Sequence, residues 1–182
     1  MGAMRADARR NRELILAAAG RAFAEEGLGV PVDEIARRAG VGAGTLYRHF
    51  PTKEALFEAV VVEHVQKLAA DARAALESDE PGRALFEFMG RLASEAATKR
   101  NLIDALSGAG VDIKASTTGI KADLESAFDE LLKRAQAAGE VRADVTIADL
   151  FGLVMGACSF SGEATGCSQS RMLAVVCAGL RP

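Results

Sequence analysis

Alternating apolar and polar segments, the mark of β-strands, are nearly absent from this sequence. Ala, Leu, Glu, Arg and Lys dominate instead, and these residues favour helices. No apolar run reaches the roughly 18 residues of a membrane span, and the first residues lack the apolar stretch of a signal peptide. We therefore expect an all-α cytoplasmic protein that does not associate with membranes.

Residues that bind metals or form disulfides are scarce. The cysteines, Cys158, Cys167 and Cys177, form no Cys-x-x-Cys pair, and the histidines, His49 and His64, are distant in the sequence. A zinc site requires a closer grouping of such ligands. We expect no metal site and interpret the cysteines as small buried apolar residues, with redox sensing as the alternative.

Catalytic motifs are also missing. The sequence has no Cys–His pair of plausible proximity and no paired carboxylates in a pocket-like context. The glycines Gly40, Gly42 and Gly44 follow no predicted strand, so they do not form a nucleotide-binding loop. We expect neither an enzyme nor a bound cofactor.

Positive charge is concentrated at the front of the chain. Residues 1–55 carry 9 Lys and Arg against 7 Asp and Glu, a net charge of +2, whereas residues 56–182 carry 13 against 18, a net charge of −5. Their sum is the overall −3. Arg9, Arg10 and Arg12 lie in this basic part, either as an arm that reaches a DNA groove or as a solvated first turn. This distribution suits a nucleic-acid-binding N-terminal domain.

Apolar periodicity, glycines and prolines divide the chain into helices. The first has a stripe formed by two rows at i, i+4 spacing: Leu14, Ala18 and Ala22, then Ile15, Ala19 and Phe23. The segment 107–119, rich in Gly, Ser and Thr, is predicted to be a loop. The predicted helices span about 8–26, 32–39, 43–50, 52–76, 81–98, 101–106, 120–138, 146–160 and 168–179.

The second and third helices form a helix-turn-helix pattern. Ala36 is small enough for the helices to cross closely, and Gly40 four residues later permits the positive φ of the turn. Leu46 and Phe50 direct one face of the third helix inward. The outward face carries Ala43, Gly44, Thr45, Tyr47, Arg48 and His49.

Residues 9–60, above all "VDEIARRAGVGAGTLYRHFPTKEALFEAV", resemble the DNA-binding domain of TetR-type (tetracycline repressor-like) regulators, particularly actinobacterial members. The resemblance implies that the positions of Ala43, Gly44 and Thr45 face base edges. It also implies that Tyr47 and His49 face phosphates and that Lys53 contacts a backbone phosphate.

Other interpretations of these side chains remain open. Tyr47 could be only half-buried, and His49 could be an ordinary surface residue. Arg48 contacts phosphate or base, or pairs with a nearby acid. Arg37 and Arg38 are better interpreted as a solvated face than as DNA contacts.

Two positions depart from the family pattern. Pro31 lies where the family usually has Ser or Thr, and proline lacks the hydroxyl that would cap the helix and contact a phosphate. Gly42 replaces a frequent Ser cap and likewise offers no side-chain donor.

For residues 56–182 the resemblance implies a helical domain for ligand binding and dimerisation, behind a DNA-binding domain at 1–55. Two helices rich in small and aliphatic residues, within 143–156 and 170–180, are predicted to pair with their copies, with an internal core as the alternative. Apolar residues, each also compatible with plain core, suggest a pocket for an apolar small molecule. These are Phe86, Met89, Leu102, Leu106, Phe128 and Phe151.

Together these features predict a ligand-responsive transcriptional regulator, most simply a repressor. It would bind palindromic operator DNA as a homodimer, with one half-site for each subunit. The alternatives are a helical protein-interaction module that does not read DNA and, with less support, an enzyme.

Overall fold

The computed structural model describes the backbone of residues 2–107, 113–159 and 166–182, and the side chains of 6–95, 118–157 and 171–182. These backbone ranges contain helices and no strand, as predicted. The helices are α1 (Gly2–Glu26), α2 (Val32–Ala39), α3 (Ala43–His49), α4 (Lys53–Ala75), α5 (Pro81–Ser107), α6 (Ile113–Ala137), α7 (Ile147–Ser159) and α8 (Gly166–Gly179), with a 3-10 turn at Gly27–Gly29.

The chain divides into two compact units. The first comprises the described parts of 1–64 and 100–117, and the second those of 65–99 and 118–182. Each unit has its own apolar core. In the first, Phe23 and Phe57 meet edge to face with ring centroids 5.4 Å apart. In the second, Phe128 contacts both Phe88 and Phe151 in the same manner at 5.2 Å.

The core of the first unit holds α2 and α3 in place. It is built from α1, α2, α3 and the start of α4, and every large side chain in it is nearly inaccessible to water. Burial of one such side chain contributes about 1.5–3 kcal/mol. The buried residues are Ile15, Leu16, Ala18, Ala19, Ala22, Phe23, Val30, Ile35, Ala36, Ala39, Leu46, Phe50, Leu56, Phe57 and Val60.

One predicted member of this core, Leu14, is 43% exposed. Four residues of an α-helix advance about 40° beyond a full turn, so an i, i+4 row drifts around the helix. Ala18 and Ala22 of that row are buried, whereas its first member lies outside the covered face.

Three predicted helix boundaries were wrong. The α1 backbone is helical from Gly2 rather than from about residue 8, so the arginines that precede Leu14 lie on a helix and not on an extended arm. The segments 81–98 and 101–106 form a single helix, because neither Lys99 nor Arg100 breaks a helix. The described part of the predicted loop 107–119 is helical from Ile113, since the weak propensities of Ser, Thr and Gly are readily overridden by tertiary context.

Candidate nucleic-acid interface

The turn between α2 and α3 has the geometry that its glycine predicts. Gly40 adopts φ 69°, in the left-handed region. Its N–H donates to the Arg37 carbonyl at 3.2 Å, and the Val41 N–H donates to the Ala36 carbonyl at 3.1 Å. This pair of bonds satisfies the last carbonyls of α2 and reverses the chain. The predicted helix-turn-helix is therefore present.

Buried residues fix the orientation of α3. Leu46 is fully buried and Phe50, directly after the helix, is almost fully buried. Gly44, Tyr47 and Arg48 are exposed, and Tyr47 has 47% of its surface accessible. The half-exposed positions on this helix are Ala43, Thr45 and His49. The α3 residues predicted to contact DNA thus share the accessible side of one short helix.

Arg48 folds back along α3. Its Nε donates to the Gly44 carbonyl at 3.1 Å, and its Nη2 donates to the Thr45 hydroxyl oxygen at 3.2 Å. No carboxylate within the described ranges forms an ion pair with Arg48, so the predicted alternative of pairing with an acid is not observed there. The guanidinium keeps its full charge at an exposed position.

The arginines of α2 have a different environment. Arg37 binds Glu34 through Nε and Nη2, each at 2.7 Å, and Arg38 binds Glu34 through Nε at 2.7 Å. Arg38 also bonds Glu26 and lies 3.5 Å from Glu25. Hydrogen bonds from Arg37 and then Arg38 lower the pKa of Glu34 to about 2. These carboxylates offset the charge of the two guanidinium groups, and the interpretation of Arg37 and Arg38 as a solvated face stays a prediction.

Lys53 makes a contact that the sequence did not reveal. Its Nζ donates to the Val30 carbonyl at 2.6 Å, across 23 residues of chain. This bond ties the first residue of α4 to the segment that precedes α2. The remaining two ammonium hydrogens of Lys53 are still available to a phosphate.

Pro31 caps α2 through its backbone alone. Its φ of −66° and ψ of 144° let its carbonyl accept from the Glu34 and Ile35 N–H groups at 3.1 and 3.2 Å, with no side-chain cap. Gly42 has the same role for α3, again with no side-chain cap. By contrast, the Thr52 hydroxyl oxygen accepts from the Ala55 N–H at 3.1 Å and caps α4, as predicted.

Arg12 of α1 lies beside the end of α3. Its guanidinium carbon is 5.5 Å from the centroid of the Phe50 ring. Such a cation–π contact holds the charge on a defined side of the domain. Arg9 pairs with Glu13 at 3.3 Å, so these two basic residues of α1 have different partners.

The predicted pocket residues lie partly in the second core. Met89 and Phe128 are fully buried, and Phe86 and Phe151 are partly buried against the same cluster. The guanidinium of Arg181 lies 5.5 Å from the Phe86 ring centroid. Leu102 and Leu106 lie outside the residues whose side chains are described.

Of the three cysteines, only Cys177 lies within the described side chains, where it is half-buried as a free thiol. Burial raises the pKa of this thiol, which disfavours the reactive thiolate.

Comparison with known proteins agrees with this geometry. Residues 15–60 match the model of the bacterial regulatory proteins of the tetR family, and residues 80–182 match the C-terminal domain of SbtR-like transcriptional regulators. The chain belongs to the TetR family of transcriptional regulators. The family and its members are regulators, which confirms the prediction that this protein is not an enzyme.

Solved structures of TetR regulators are similar over nearly the whole chain. One from Mycobacterium vanbaalenii is 46% identical, with a TM-score of 0.82 over 98% of this chain and 99% of the other. SCO0520 from Streptomyces coelicolor is 37% identical, with a TM-score of 0.80 over 94% and 98%. The regulator UidR of Escherichia coli K12 is 26% identical over 81% of this chain and 78% of its own. The relatives from Mycobacterium and Streptomyces confirm the predicted resemblance to actinobacterial members of the family.

No described helix is long and apolar enough to cross a membrane.

Proposed function

We propose that this TetR-family regulator is a cytoplasmic, ligand-responsive repressor that binds palindromic operator DNA as a homodimer. Residues 1–55 would form its DNA-binding domain and residues 56–182 its ligand-binding and dimerisation domain. The observation that carries the DNA-binding part is the exposed side of α3, where Tyr47 and Arg48 have no carboxylate partner among the side chains that the structure describes.

Each α3 side chain has a separate role in this proposal. Ala43, Gly44 and Thr45 face base edges, where their small size lets the helix approach the groove floor. Tyr47 and His49 contact phosphates, and Lys53 contacts another phosphate while it holds Val30. Arg48 completes the set with a guanidinium that forms no ion pair among the described side chains.

The homodimer is supported by an apolar face formed by α7 and α8. An open groove of about 490 Å³ lies between them. Leu153 and Val175, which line it, are unusually exposed, and Val175 has 68% of its surface accessible. Exposed aliphatic residues next to small ones suit close packing against a second copy. The groove is lined by Gly152, Leu153, Gly156, Ala157, Arg171, Met172, Val175 and Val176.

The effector is proposed to be a small apolar molecule bound in the second unit, near Phe86, Met89, Phe128 and Phe151. Phe151 meets the buried Phe128 edge to face at 5.2 Å, and Phe86 is partly buried against the same cluster. A ligand that binds better to the DNA-free arrangement of the subunits would release DNA by that difference in affinity.

Gel shifts test the DNA-binding proposal directly. The wild-type protein is mixed with duplexes from the DNA flanking its gene and with a pool whose central segment is randomised. We expect enrichment of a palindromic sequence and an affinity that falls steeply with salt. Failure to bind any duplex at low salt would refute DNA binding, and enrichment of a sequence without two-fold symmetry would refute the palindromic operator.

Sedimentation velocity tests the dimer. Val175→Glu should shift the protein to monomer. Leu14→Glu is the control, because Leu14 is also apolar and exposed but lies in the first unit, and this variant should remain dimeric. A wild-type protein that sediments as a monomer would refute the homodimer.

The effector is sought by adding apolar small molecules to the protein–DNA complex and measuring the release of DNA.

A further inference from the structure

The two hydrogen bonds of Arg48 use one particular edge of its guanidinium. Nε and Nη2 lie side by side, and both point along α3, toward the Gly44 carbonyl and the Thr45 hydroxyl oxygen. A guanidinium has five N–H groups in a rigid planar fork. The outer edge, formed by Nη1 and the second hydrogen of Nη2, is used by neither bond and keeps two parallel donors.

The position of this fork follows from helix geometry. Long side chains on a helix lean toward its N-terminus, so the head of Arg48 lies over the first turn rather than beside its own Cα. Gly44 offers no side chain there, and a Cβ built on it would meet nothing within 4 Å. The Arg48 head thus lies beside the Gly44 carbonyl and the Thr45 hydroxyl, and the space next to the Gly44 Cα stays open.

We propose that Arg48 reads a guanine in each operator half-site through its outer edge, and that Thr45 is a positioning residue that orients it. The proposal rests on the DNA-binding function proposed above. Guanine presents two acceptors, O6 and N7, in the major groove, which match two parallel donors. Adenine presents a donor next to N7 and would leave one of them unpaired.

The hydrogen bonds from Arg48 to Gly44 and Thr45 explain why a base is favoured over a phosphate as its partner in DNA. Two intrahelical bonds hold the head close to α3, which reduces its reach toward the strands on either side of the groove. Tyr47 and His49 flank Arg48 in the chain and carry the phosphate contacts. Because Thr45 accepts the hydrogen bond from Arg48, its own hydroxyl hydrogen and its methyl remain free for a neighbouring base pair.

The test uses the full-length protein and duplexes enriched from the randomised pool. Each guanine of a half-site is replaced in turn by 7-deazaguanine, which lacks the N7 acceptor, and affinity is measured by fluorescence anisotropy. For the wild type, one replacement in each half-site should weaken binding by at least about tenfold. Arg48→Gln should bind the unmodified duplex more weakly and show no further loss on that replacement.

Two matched variants complete the experiment. Arg37→Gln, which removes an arginine already bound to Glu34, should retain the full loss on guanine replacement. Thr45→Val, similar in shape but without the hydroxyl, should show a reduced loss, while its melting temperature and the salt dependence of its binding match those of the wild type.

The outcomes separate this inference from the proposed function. If Arg48→Gln weakens binding to every duplex by one factor and keeps the wild-type response to 7-deazaguanine, Arg48 contacts phosphate and the inference is wrong. The same conclusion follows if no single replacement affects the wild type. If no duplex is enriched at all, the DNA-binding proposal itself fails, and the inference fails with it.

Discussion

Both short helices of the helix-turn-helix carry arginine, but the arginines of α2 and α3 have different hydrogen-bond partners. On α2, Arg37 and Arg38 are bound by the carboxylate of Glu34, with Glu26 as a further partner of Arg38. On α3, the partners that the described residues offer Arg48 are neutral oxygens. A count of arginines would rank α2 as the more basic helix, yet its charges are cancelled. The placement of acids, rather than the number of bases, decides which helix presents positive charge to DNA.

The difference between α2 and α3 requires that α3 keep a fixed orientation, and Leu46 is one of the buried residues that hold it. Leu46→Ala should lower the free energy of unfolding by about 2–5 kcal/mol, because it empties a fully buried site. Urea denaturation measures this loss. Leu14→Ala is the matched control at an exposed position and should change stability by only about 0.5 kcal/mol. Equal losses of unfolding free energy in the two variants would mean that the burial of Leu46 does not hold α3 in place.

Lys53 ties the segment before α2 to the first residue of α4. Lys53→Met should lower the free energy of unfolding by about 1–2 kcal/mol, because the Val30 carbonyl loses a charged donor. Lys67→Met, at an exposed position on the same helix, serves as the control and should be close to neutral. An unchanged urea midpoint in Lys53→Met would show that the bond to Val30 contributes nothing.

The ion pairs of α2 should also make stability depend on acid pH. The folded-state pKa of Glu34 is lowered to about 2, so its stabilising effect is complete above its ordinary pKa of 4.5 and is lost as pH falls from 4.5 toward 2. The drop in melting temperature between about pH 6 and about pH 3 should therefore be smaller in Glu34→Gln than in the wild type. Arg48→Gln should show the wild-type drop, because Arg48 has no carboxylate partner within the described ranges. Parallel curves for Glu34→Gln and the wild type would contradict the pairing.

Local signals in the sequence were sufficient to predict the DNA-binding half of the fold. Gly40 marked the turn, and the spacing of Leu46 and Phe50 fixed the inward face of α3, because each depends on a few neighbouring residues. Helix boundaries in weakly patterned segments were less predictable. Gly119 and the Ser and Thr residues before it indicated a loop, yet α6 begins at Ile113.

The contacts that distinguish the two arginine environments could be predicted only in part. Glu34 lies three and four residues before Arg37 and Arg38, a spacing that favours pairing on a helix. The bonds from Arg38 to Glu26 and from Lys53 to Val30 join residues 12 and 23 positions apart. Such contacts depend on how helices pack, which no local pattern specifies.

The central claim is that α3 presents its arginine to DNA and α2 does not. The most direct test is an anisotropy titration of one enriched duplex with the wild type, Arg37→Gln and Arg48→Gln at a single salt concentration. Loss of Arg48 should weaken binding at least about tenfold, and loss of Arg37 should change it by less than about threefold, since an exposed ion pair contributes little. Equal losses in the two variants, or a larger loss for Arg37→Gln, would contradict the claim.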